Sequence, residues 1–202
     1  MLELPHAAAL ASHVERLRAE FGEVPWFDPA DGGAAARLLL LLETPGPRVR
    51  STGFVSLDNP DGTARNLQGF VTAAGIERRA VLVWNVVPWI IHGEGDRNRA
   101  PTRAERERGL QLLPGLLEQL PELRAVVLLG RHAAAARAVI AERRPALTVV
   151  EAAHPSPTYV CTNPAIGPGI VAALRRAGEA AGGVCARQPT PPRRPKFPKF
   201  PW

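Results

Sequence analysis

Four short apolar runs, each bounded by turn-forming residues, constrain this chain more than any other feature. They lie at residues 37–42, 81–84, 125–129 and 147–151 and are rich in Leu and Val. Strict apolar–polar alternation is absent from them, so each suits a strand buried on both faces, as in a parallel sheet. Helical stretches separate them: a short one near 64–74, a long one near 102–119 and one near 133–144. Thr102 and Glu105, just after Pro101, make a capping box for the long helix. Asn163 can cap a last helix from about 164 to 180, where Pro164 is tolerated in the first turn. A further helix is expected over about 5–21, with Leu10, Val14, Leu17 and Phe21 at helical spacing. Strands alternating with helices predict a three-layer α/β/α domain around a central four-stranded, mostly parallel sheet.

Composition fits that fold. At 46% hydrophobic and 22% charged residues the chain has ample material for one core, and no apolar run approaches a membrane span. The N-terminus lacks a charged start followed by an apolar stretch, so a cytoplasmic location is expected. Cys161 and Cys185 are too few for a disulfide scaffold, a four-cysteine iron–sulfur cluster or a Cys-rich zinc site, and neither metal nor other cofactor is expected. The formal charge of +6 is concentrated at one end: residues 187–202 hold five basic residues, no acid and six prolines. Removing those five positive charges leaves +1 on residues 1–186, the expected folded domain. The Pro-rich segment is expected to be an extended, mobile tail, able either to hold a polyanion or merely to solubilise.

Ligands of parallel sheets bind at the carboxyl ends of the strands. The first run ends in Glu43-Thr44-Pro45-Gly46-Pro47, the second in Asn85, and the third in Gly130-Arg131-His132, leading directly into a helix. The fourth ends in His154-Pro155-Ser156-Pro157-Thr158-Tyr159. A Glu, an Asn and a His thus share one edge, carried by proline-stiffened loops.

This ordered set resembles the uracil-DNA glycosylase superfamily over about residues 37–180. The likeness rests on the Glu43–Gly46 loop, the aromatic in Gly53-Phe54-Val55, the strand-end Asn85 and the His154-Pro155-Ser156 motif. It implies that a uracil flipped from DNA stacks on Phe54 beside Thr44, Pro45 and Gly46, while Asn85 reads its edge. His154 would stabilise the leaving base and Glu43 would direct the attacking water. Ser156 and Thr158 would grip DNA, with Tyr159 or Val160 wedging into the duplex. Arg97 and Arg99 are candidate phosphate contacts. The best-known uracil-specific members carry Asp where Thr44 stands and Tyr where Gly46 stands. The Glu-x-Pro-Gly form is instead similar to the iron–sulfur branch, whose cluster cysteines are missing here. Some members trap the sugar on a His in the loop that here reads Arg97-Asn98-Arg99, with His92 upstream, so turnover is expected.

The expected activity is therefore monofunctional uracil-DNA glycosylase chemistry by a monomer on single- or double-stranded DNA, leaving an abasic site. Residues 1–186 contain no lysine to form a Schiff base. Two alternatives stand beside it: a non-catalytic or product-retaining binder of uracil-containing or abasic DNA, motivated by Thr44, and a small-molecule nucleoside or nucleotide enzyme. The second lacks a Gly-rich phosphate loop.

Overall fold

The computed structural model of the chain describes residues 5–93 and 99–183. In chain order, α1 (Pro5–Phe21) and β1 (Trp26–Phe27) lead into β2 (Leu38–Leu42), α2 (Val49–Thr52) and β3 (Phe54–Val55). Then come α3 (Gly62–Ala73), β4 (Val81–Asn85), α4 (Arg103–Glu118) and β5 (Ala125–Leu129). The last part holds α5 (Arg131–Ala134), α6 (Ala136–Arg143), β6 (Thr148–Ala152), α7 (Pro157–Val160) and α8 (Ile166–Ala180).

The four apolar runs form one wholly parallel sheet in the order β4-β2-β5-β6. Its centre is a leucine strand. Leu38, Leu39, Leu40 and Leu41 of β2 have no solvent exposure, which only a strand sandwiched between helices can sustain. Packing among the helices gives the two outer layers: α3 with α8 on one side, and α1, α4 and α6 on the other. The four apolar residues expected of α1 take the core-facing stripe, with Leu10, Val14 and Leu17 buried and Phe21 packed at its edge. At the start of α4 the capping box forms in full: Thr102 accepts from the Glu105 amide, and Glu105 accepts from the Thr102 amide.

Four features depart from the sequence reading. The fourth strand, β6, is an edge strand with exposed Thr148 and Glu151, because only α8 covers it well. The helix expected at 133–144 is two pieces, α5 and α6, broken at Ala135. Asn163 does not cap α8; its side-chain oxygen accepts from the amide of Ala165, the residue immediately before the helix. A second small parallel sheet, β1 with β3, was not foreseen, since two-residue strands carry no periodicity. Arg97 and the basic tail lie outside the described residues. Among those described, no helix is long and apolar enough to cross a membrane.

Chain direction creates the site. From β2 the chain leads to β4 on one side, whereas from β5 it leads to β6 on the other. The carboxyl ends of β2 and β5 therefore open a crevice, the switch point at which parallel sheets bind ligands.

Candidate active site

All four strand ends meet at one cavity of about 760 Å³. Strand register puts Leu42 opposite Asn85. Just beyond, the Val86 amide donates to the Leu42 carbonyl at 2.9 Å and the Val87 amide to the Glu43 carbonyl at 3.0 Å. Glu43 and Asn85 are thereby held side by side by backbone bonds rather than by loop chance. Asn85 is 4% exposed and lines the cavity.

Glu43 projects from the end of the leucine strand. Its Oε1 is buried and accepts no hydrogen bond, while His132 Nε2 stands 3.6 Å away. Burial pushes the Glu43 carboxyl above its ordinary range, and the charges of His132, Arg106 and Arg131 pull against that. Burial thus eases proton uptake by Glu43, the property that general-base chemistry requires.

The other side of the cavity carries His154. Its Nδ1 accepts the Ser156 backbone N–H at 3.1 Å. An accepting Nδ1 is unprotonated, so in the neutral ring Nε2 carries the hydrogen and is left to donate. Burial, and then the charge of His132, lower the tendency of His154 to protonate. The imidazole is thus a neutral donor.

Three close contacts seat the His154 loop. Asn66 Nδ2 donates to the Pro155 carbonyl at 2.9 Å. Gly62, opening α3, has no room for a side chain: a β carbon there would lie 2.3 Å from Pro157 Cγ. Gly130 has φ +96°, and a β carbon on it would come within 3.0 Å of the His154 β carbon. Only glycine satisfies both the backbone conformation and the space at that position.

Nearly all the residues singled out in the sequence come together here. Glu43, Thr44, Pro45, Gly46 and Asn85 line the cavity, as do Arg99 and His154. Ser156, Thr158 and the half-exposed Tyr159 continue its wall toward solvent. Ser156 Oγ and Thr158 Oγ1 lie 3.1 Å apart. Arg99 is engaged in a two-bond fork with Glu105, at 2.9 and 2.7 Å. Phe54 is the exception. The cavity is lined by its neighbour Val55, because successive side chains of a strand point to opposite faces. Where the sequence reading expects Phe54, the cavity presents the aliphatic surfaces of Val55, Leu67 and Pro45.

His132 is the residue that the sequence did not single out. It sits three residues beyond β5, and its proximity to Glu43 depends on β2 and β5 being neighbours. The one available signal was the strand-end Gly130-Arg131-His132 itself, entering a helix at the same edge as Glu43.

A family model for the uracil DNA glycosylase superfamily matches residues 29–166 of the chain. Among solved structures, wild-type SMUG2 of Pedobacter heparinus has a similar fold, with a TM-score of 0.57 at 12% sequence identity. The likeness covers 86% of this chain and 98% of that one. A search of curated protein sequences finds no match.

Proposed function

Because the chain belongs to the uracil DNA glycosylase superfamily, we propose that it releases uracil from DNA by hydrolysis and leaves an abasic site. The observation that carries this reading is the convergence of Glu43, Asn85 and His154 on one cavity. A base must leave the stack before its glycosidic bond can be reached, so the substrate is a flipped nucleotide. The Asn85 amide oxygen accepts from uracil N3–H and its NH₂ donates to O4. Cytosine presents the opposite pattern and would leave buried polar groups mismatched.

Bond cleavage sends the C1′–N1 electron pair into the base, and negative charge accumulates on O2. His154 Nε2–H donates to that oxygen, stabilising the anion as an oxyanion-hole donor does. The sugar becomes oxocarbenium-like, and the Glu43 carboxylate both favours that positive charge and orients a water toward C1′. As the new C1′–O bond forms, the water proton passes to Glu43 and later to solvent. Thr44, Pro45 and Gly46 border the base, and no bulky side chain at Gly46 guards against a 5-substituent.

Ser156 and Thr158 bind a flanking phosphate, and Tyr159 fills the gap left by the flipped base. The Arg99 fork with Glu105 faces the same rim and can be exchanged for a phosphate. On this reading the enzyme acts as a monomer in the cytoplasm. With no lysine in residues 1–186, strand cleavage by a Schiff base is not part of the reaction.

The test is a labelled oligonucleotide carrying one uracil, single-stranded or opposite A or G, resolved before and after alkali. Strand breaks only after alkali, slowed in Glu43→Gln and His154→Ala, are the expected result. Intact strands in every context, with tight binding retained, would replace hydrolysis by the binding reading.

A further inference from the structure

His132 stands on the opposite wall of the β2/β5 crevice from Glu43, and the mechanism above gives it no part. At 3.6 Å, its Nε2 is too far from Glu43 Oε1 for a hydrogen bond but well within range of strong charge coupling. That oxygen is buried and accepts no other hydrogen bond, so no competing partner shields it. The two side chains are equally enclosed, each 23% exposed. On the other side, charge on His132 acts against charge on His154. Among the described residues, the groups facing this corner are Arg106 of α4, Arg131 and His132 of α5, and His154 beyond β6. Of these, His132 is the one at ion-pair distance from the carboxylate, and it acts on both Glu43 and His154.

We infer that His132 is a positioning residue: when protonated, its ring pairs with the buried oxygen of Glu43 and favours the carboxylate form of that side chain. The inference rests on the glycosylase reading for its purpose, though not for its physics. Hydrolysis asks Glu43 to be charged if it is to act on water. A positive charge beside Glu43 stabilises that negative form. The fold supplies it through the switch point, since β5 delivers His132 beside the end of β2.

The experiment is a pH series of single-turnover uracil release by wild type, His132→Gln and His132→Arg. Loss of the imidazolium should move the acid limb, where Glu43 loses its charge, to higher pH by about one unit. His132→Arg, with a permanent cation, should bring the limb back. An unmoved limb, or a loss equal at every pH, would overturn the inference and leave His132 with a structural part only. A parallel measurement needs no activity. The Glu43 carboxyl is followed by carbon NMR in full-length protein with labelled glutamate, assigned by its loss in Glu43→Gln. Its midpoint should rise in His132→Gln, and the wild-type His132 ring signal should show an inflection that disappears in Glu43→Gln. Absence of both effects sinks the coupling even if the protein releases no base. Should His132→Gln fail to fold, the wild-type and Glu43→Gln titrations still decide the matter.

Discussion

The Ser156 backbone N–H points at His154 Nδ1 from 3.1 Å, and this one bond decides which ring nitrogen can serve a substrate. Two residues of the same loop thus determine the chemistry of the imidazole. Replacing His154 with Ala should slow uracil release by about 10²- to 10³-fold, the usual cost of losing an oxyanion donor. Binding of uracil-containing DNA should change far less. Single-turnover rates and fluorescence-anisotropy titrations on the same oligonucleotide check the split; a loss of binding as large as the loss of rate would contradict it.

Asn85 is buried at the cavity floor, next to the end of the leucine strand. On the proposed reading, truncation to Ala would remove two hydrogen bonds to the uracil edge, each worth about 0.5–1.5 kcal/mol net. Uracil release should fall by roughly 10- to 100-fold, while any trace release of cytosine should fall less, so the preference narrows. Competition between the two bases in one labelled duplex measures the ratio, which would stay constant if Asn85 did not read the edge.

Gly130 tests whether the His154 loop must sit where it does. Ala at this position would hold φ +96° against its steric preference, with its β carbon 3.0 Å from that of His154. A destabilisation of about 1–3 kcal/mol is expected from the backbone alone. Because the pressure falls on the His154 ring, to which the proposal gives the O2 contact, the rate should drop further than the melting temperature implies. Gly62→Ala provides the matching probe on the other side of the loop, at Pro157. Retention of full rate in both variants would show the loop to be indifferent to these contacts.

His13 of α1 gives the fold a pH dependence of its own. It is 6% exposed and packs over Gly115 of α4. Burial, assisted by the Arg16 charge, lowers its pKa from 6.5 to about 4. The folded protein therefore keeps the ring neutral where the unfolded chain already protonates it. Its contribution is complete above pH 6.5 and lost as pH falls through the window down to about 4. The full loss is on the order of 3 kcal/mol, and His13→Gln should flatten that part of the profile. Urea denaturation at successive pH values measures it.

Leu40 bears on the core that holds the strand ends in register. It is wholly buried at the middle of the central strand. Leu40→Ala should destabilise the domain by about 2–5 kcal/mol, set by how far the two helix layers can collapse on the gap. Denaturant midpoints at constant slope give the value, and a loss below about 0.5 kcal/mol would place Leu40 outside the packed core.

Much of this molecule was legible from local pattern. Unbroken runs of Leu and Val such as 38–42, bounded by turn residues, suit strands covered on both sides, so they pointed to a parallel sheet and, with it, the edge where a site belongs. Capping at Thr102 and the spacing of Leu10, Val14 and Leu17 were likewise local, and they appear in the fold as expected. What local pattern could not supply was side-chain direction and strand order. Phe54 and Val55 are equally apolar in sequence, and only the orientation of a two-residue strand selects Val55 for the cavity. Thr148 and Glu151 belong to a strand at the sheet edge, a place set by order in the sheet rather than by composition. His132 and Glu43 are far apart along the chain, and only the pairing of β2 with β5 brings the imidazole to the carboxylate. Sequence periodicity reports what each segment buries, whereas the company a residue keeps across strands depends on how those segments assemble.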